Sequence, residues 1–201
     1  MTVLDNIRLA RGAHELPADE CDNPERCLFE WYNWLTRQQH TDSRPPGVSP
    51  ILHTFGIQLH DVLPDGKRQE LRRFLPNGQD RLAGTETDGK DETRSYLALD
   101  WLIRTWTPVW LERAGLTAEA TGLRNLRRIA DLVAAQSAGP VVREARDKAA
   151  AASAAASAVA SAAARAAARA ALAPTVAHLQ DSAIALYDLM ITGEWPDENA
   201  A

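Results

Sequence analysis

AAAASAAASAVASAAARAAARAALA, residues 149–173, decides the fold class of this 201-residue chain. The stretch holds no glycine and no proline. Alanine is the best helix former, because it loses no side-chain freedom and buries no polar group when it joins a helix. Glycine and proline stay absent back to Val141, so the residues predict one long helix over 141–173, closed by Pro174. At 1.5 Å of rise per residue it would be about 50 Å long. A compact domain of this size should be about 43 Å across. Such a helix spans the molecule or protrudes from it.

Of the 36 alanines in the chain, 19 lie between Ala145 and Ala173, so the excess belongs to one element. The tract carries a polar stripe: Ser153, Ser157, Ser161, Arg165 and Arg169 recur every four residues. On a 3.6-residue helix that stripe advances about 40° per step and winds slowly. Small side chains let a neighbouring helix come closer than the usual 8–10 Å or so. The favoured reading is a close-packed central helix whose serines bond their own preceding carbonyls. The alternative is a flat exposed face that binds a partner through Ala156 and Ala163, edged by Arg165 and Arg169. An ice-binding face would call for a threonine ladder, which the stripe lacks.

Moving outward, helix punctuation recurs and strand patterning is nearly absent. Asn23-Pro24-Glu25 reads as a cap, a proline at the first helical position and an acid in the first turn. An apolar face of Cys27, Leu28, Trp31, Trp34 and Leu35 follows. Ser49-Pro50 starts a second helix with Ile51, Leu52, Phe55, Leu59 and Val62. Asp65 can cap a short basic helix that turns Leu71, Phe74 and Leu75 inward. Residues 76–90 read as a loop. A helix restarts near Asp91 and runs toward Trp110, with Pro108 forcing a kink or a new start. Another, opened by Thr117, should end before Gly139-Pro140. Pro174 opens the last helix and Gly193 stops it. The expectation is an all-α single domain, 1–201, of about seven helices around or along the alanine-rich one. Residues 1–22 are expected to be flexible or extended and 194–201 a tail. The tryptophans should pack on the alanine helix, large side chains against small.

Composition narrows the function classes. Hydrophobic residues make up 45% and charged residues 24%, but alanine supplies much of the first figure. The tract resembles a membrane span most closely, yet alanine is nearly neutral on insertion and two arginines interrupt it, so no membrane span is expected. The opening MTVLDNIRLARG lacks the pattern of a signal peptide. Two cysteines are too few for a disulfide framework, which points to a reducing cytoplasm. The net charge is −5, and the acidic excess sits in residues 1–100, which disfavours unspecific nucleic-acid binding.

Chemistry-bearing constellations are sparse. Cys21, Cys27 and His40 lack zinc spacing, and His53 and His60 lie two helical turns apart, so no metal or other cofactor is expected. Cys27 could act as a nucleophile if a histidine approached it, though an inert buried cysteine is the favoured reading. Leu82-Ala83-Gly84-Thr85 and the glycines after it lack phosphate-loop spacing. Asp100 and Arg104 are four apart on an apolar helix and read as a register-fixing ion pair, or else as a functional carboxylate and its partner. Glu30 and Asp42 are similar carboxylates in and after the first apolar helix. Two basic clusters, Lys67, Arg68, Arg72, Arg73 and Arg124, Arg127, Arg128, read as solvated helix faces before they read as phosphate contacts.

Several of these segments resemble a widespread family of actinobacterial and actinophage proteins with an alanine-rich C-terminal helix. They are Cys27-x-x-Glu30, Asp42-x-x-Pro45, Ser49-Pro50-Ile51, the turn Leu82 to Thr85, the segment Asp100 to Pro108, and the alanine tract leading into Pro174-Thr175-Val176. The resemblance covers residues 20–190 or so. It implies a source and a fold, and no particular activity. Members commonly carry a second cysteine shortly before the Ser-Pro step, where this chain has Gly47, which argues against a shared metal or disulfide centre here. The leading expectation is therefore a non-catalytic cytoplasmic binding or adaptor protein, working through a protein partner or a second copy. The rivals are a small helical enzyme using Glu30, Asp42, Asp100 and Arg104, and a nucleic-acid-binding regulator using Arg124, Arg127 and Arg128.

Overall fold

The computed structural model describes residues 7–12, 25–38, 41–76, 79–157 and 162–196, with the backbone alone at 25, 154–157 and 162–169. The fold is all-α. Apart from helices, the described residues hold one two-residue strand pair, β1 (Arg8–Leu9) running parallel to β2 (Glu25–Arg26). No helix among them is long and apolar enough to cross a membrane. The chain divides into two compact units. One is drawn from Met1–Arg94 and Tyr187–Ala201, the other from Ser95–Leu186.

In the first unit, α1 (Leu28–Leu35) starts later than Asn23-Pro24 suggested, because Glu25 and Arg26 are extended and paired to β1. Cys27 takes the N-cap instead. Helix α2 (Pro50–Val62) begins as expected: Ser49 Oγ accepts the Ile51 and Leu52 N–H groups and Pro50 occupies the first turn. A short helix α3 (Asp65–Arg68) passes into a 3₁₀ segment, Gln69–Phe74. Asp65 opens α3 without capping it; the cap position is Pro64. Arg68 is buried and donates to the carbonyls of His60 (2.9 Å) and Leu63 (2.7 Å). It thereby satisfies the bare end of α2 with a cation where the helix dipole favours one.

Tyr187 and Met190 bring the end of the chain into this core. The Tyr187 ring stacks on Phe55 and meets Phe74 edge-on, and its hydroxyl donates to the Leu52 carbonyl at 3.2 Å. Gly56 makes this approach possible, since a Cβ there would lie 2.7 Å from the Tyr187 hydroxyl. Arg94, fully buried, donates to the Thr85 and Met190 carbonyls and pairs with Asp88 and Asp91.

The second unit takes over α4 (Asp91–Trp101) from Ser95 onward. A π-turn at Leu102–Trp106 follows, then α5 (Thr107–Arg113). Pro108 sits in the first turn of α5, the new start that the sequence offered. The wider π-turn hands the Thr107 N–H to the carbonyl of Leu102, one residue further back than usual, which gives the proline ring room against the preceding turn. Helix α6 (Thr117–Arg124) ends early, and residues 125–131 are not helical.

The alanine-rich region corrects two expectations. Helix α7 (Leu132–Ser157) runs straight through Gly139-Pro140, and α8 (Ala162–Thr192) runs through Pro174. Both prolines are exposed, so the carbonyl each leaves bare can turn to water. Gly139, without a Cβ, also relieves the crowding that a residue before proline ordinarily suffers. The core around α7 joins Ala145 to Leu111, Ala120 and Leu123, with Ile103, Leu116, Leu126, Val141, Val142 and Ala149 against it. That cluster is aliphatic. It sets small α6 residues close to small α7 residues; the expected tryptophan packing on the centre of the tract concerns side chains outside the described ones. Trp101, Trp106 and Trp110 follow one another ring to ring, and Trp101 donates to Ser182 of α8.

Candidate functional site

Chemistry-bearing side chains meet in the first unit, where the start of α1 approaches the last turn of α2. A cavity of about 30 Å³ lies there. Gly12 after β1, Cys27, Leu28 and Phe29 at the start of α1, Asp42 from the next loop, and Ile57, His60 and Asp61 of α2 line it. One water needs roughly 10–15 Å³ by the same measure, so the space suits about two water-sized bodies.

Each lining group has a defined state. Cys27 Sγ accepts the Glu30 N–H at 3.4 Å, and the Glu30 carboxylate accepts the Cys27 N–H at 2.6 Å. This is a capping box with a thiol in place of the usual hydroxyl. Burial, aided by the Glu30 charge and opposed by the backbone bonds, pushes the Cys27 thiol up to about 12. At neutral pH it is a protonated thiol and a poor nucleophile.

His60 is 1% exposed. Burial first, and the Arg68 charge after it, lower its pKa against the pull of Asp61 and Glu30. The ring is therefore neutral at pH 7. Its Nδ1 lies 3.2 Å from the Asp61 carboxylate, which also accepts the Gly12 N–H at 3.4 Å. An ionised carboxylate only accepts hydrogen bonds, so Nδ1 carries the ring proton and Nε2 presents a lone pair. Nε2 is buried and has no hydrogen-bond partner. Nearby, the Asp42 carbonyl lies 2.8 Å from His53 Nε2, and the His53 ring packs on Phe29. Burial lowers the His53 pKa as well.

Two of the carboxylate and thiol candidates, Cys27 and Asp42, thus line one cavity, and Glu30 joins them through the capping box. His60 was legible only as half of a failed metal pair. The signal that could have found it is the His60-Asp61 dipeptide at the end of α2, with His60 one position after Leu59 of the apolar face. Cys21 and His40 lie outside the described residues. Among the described residues, no three His, Cys, Asp or Glu side chains are arranged to hold a metal ion.

Asp100 and Arg104 belong to the second unit. Arg104 donates to Asp100 at 3.2 Å, and the same carboxylate oxygen accepts the Ile129 N–H at 2.8 Å. Asp100 ties the non-helical segment after α6 to α4. Arg124 makes a two-point pair with Glu112, and that pairing holds the Glu112 carboxyl below its usual range. Arg127 lies 3.6 Å from Asp131 and Arg128 is half-buried. A second cavity, about 140 Å³ between α6 and α7, is lined by Glu119, Gly122 and Ala145 among others. Lys148 bridges its carboxylates, reaching Glu119 at 2.6 Å and Glu144 at 3.0 Å, so its charges already satisfy one another.

The side chains of Ala156, Ala163, Arg165 and Arg169 lie outside the described ones. On either side of them, Ala150, Ala151, Ala170, Ala171 and Ala173 are exposed. Comparison with models of known protein families, with curated proteins and with solved structures finds no match.

Proposed function

We propose that the chain is a non-catalytic binding protein that acts through protein–protein contacts made by its alanine-rich helices. One observation carries this reading: the alanines that flank the centre of the tract face solvent in both α7 and α8. A helix that only filled a core would bury them. Methyl-surfaced helices allow unusually close approach by another helix, so their natural ligand is a helical surface of a partner or of a second copy. Leu132 and Val133, 60% and 67% exposed at the start of α7, add apolar surface of the same kind. Two cysteines are too few for a disulfide framework, which supports a reducing bacterial cytoplasm as the location, and the family resemblance favours a phage or mobile-element origin.

The enzymatic reading has less support. Its thiol is protonated, and Asp100 is spent on Arg104 and the Ile129 N–H. The nucleic-acid reading is weakened by the pairing of Arg124 and Arg127 with acids.

The test is the double variant Ala151→Glu with Ala170→Glu. Its helix content by circular dichroism should match that of the parent. Sedimentation velocity and affinity capture should show that its self-association or its captured partner is lost. Assembly and capture equal to those of the parent would overturn the reading.

A further inference from the structure

We propose that the cavity between the start of α1 and the end of α2 is a binding site for a small N–H-bearing cation, ammonium or methylammonium. Three features of the walls select that chemistry. First, the His60 Nε2 lone pair is buried without a partner. A buried acceptor left unmet is costly, so it calls for a donor. Second, Asp42 and Asp61 are the charged residues among the described lining residues, and no lysine or arginine is among those. The donor that gains most there carries positive charge, because charge-assisted hydrogen bonds are the stronger ones. Third, Leu28, Phe29 and Ile57 also line the cavity, an apolar remainder that suits a methyl group.

Size and donor set narrow the choice. A cavity of about 30 Å³ holds one or two non-hydrogen atoms and excludes a quaternary ammonium with four methyl groups. Sodium and potassium have no N–H to offer Nε2 and prefer a shell of hard oxygens. Pairing of Nδ1 with the Asp61 carboxylate at 3.2 Å favours the tautomer with the ring proton on Nδ1, which leaves Nε2 to accept. This site is separate from the alanine-rich surfaces and does not depend on their role.

The experiment uses the full chain labelled with ¹⁵N. The His60 imidazole nitrogens, assigned with a His60→Gln variant, are followed at fixed pH and ionic strength. Methylammonium chloride is titrated against tetramethylammonium chloride and potassium chloride. Saturable movement of the Nε2 resonance with methylammonium, and none with the two controls, is the expected result. Asp42→Asn should weaken the methylammonium response by about tenfold, equivalent to losing one charge-assisted contact. The proposal is overturned by an Nε2 resonance that does not move, by equal movement with tetramethylammonium or potassium, or by an Asp42→Asn chain that binds as the parent does. Size selectivity is read on the unaltered chain, so the test stands whether or not the variant folds.

Discussion

Cys27 does with sulfur what serine or threonine does at most helix starts, and the consequences are local and measurable. Sulfur is a weaker acceptor than oxygen. Cys27→Ser should keep the box with Glu30 and leave stability within about 1 kcal/mol, whereas Cys27→Ala should lose about 1 kcal/mol of cap. Urea melts of the two variants check this. The thiol itself, pushed up to about 12, should react slowly with a disulfide reagent at pH 7.5 in a Cys21→Ser background and quickly once unfolded.

His60 and His53 give a pH dependence. Both have folded pKa values below the ordinary 6.5, chiefly through burial. The unfolded chain therefore takes up protons first as pH falls. Their stabilising contribution is complete above the unfolded value and is lost between it and the lowered folded one. Thermal melts should fall as pH drops from 7.5 toward 5, and less steeply for His60→Gln. No drop over that window in the parent would contradict the assignment.

At the scale of elements, prolines separate what was legible from what was not. Ser49-Pro50 was read correctly because a cap and a first-turn proline are local chemistry. Asn23-Pro24 misled because β1 pairs with the residues just after it, a contact from elsewhere in the chain. Pro140 and Pro174 look like boundaries in the sequence, and both lie inside helices. The roughly 3 kcal/mol that a proline costs in a helix is outweighed where the helix packs one face beside it: Ala134, Ala138 and Ala145 near Pro140 are buried, as are Thr175 and Leu179 after Pro174. Pro140→Ala should accordingly stabilise the chain by about 1–3 kcal/mol, read as a higher urea midpoint at unchanged slope. A helix broken at Pro140 would give no such gain. Gly56→Ala in α2 should do the reverse. It gains about 1 kcal/mol of helix propensity. It loses more to overpacking, about 1–3 kcal/mol, because the new methyl would meet the Tyr187 hydroxyl at 2.7 Å and the Phe29 ring at 2.9 Å.

At the scale of the molecule, Arg94 closes the first unit. It joins α4, the loop holding Thr85 and Asp88, and the end of α8 at Met190. A charge this deeply buried is tolerable only because carboxylates and carbonyls surround it, and removing it leaves Asp88 and Asp91 facing each other. Arg94→Met should cost about 3–5 kcal/mol and lower the thermal midpoint sharply, while a surface change such as Arg127→Met should have little effect. Similar midpoints for the two would show that the network holds little of the fold together.

What the amino-acid order determined by itself is the helical class, the Ser49 helix start and the long alanine-rich segments, because helix propensity and capping act within a few residues of chain. Tertiary structure alone decided the rest. It set Cys27 as the cap by pairing its neighbours with β1, carried helices through Pro140 and Pro174, and divided the contacts into two units. It also brought Cys27, Asp42, His60 and Asp61 to one cavity. Those outcomes rest on residues from different elements meeting, and on the burial that leaves one imidazole nitrogen without a partner. Neither the meeting nor the burial is written in any local stretch.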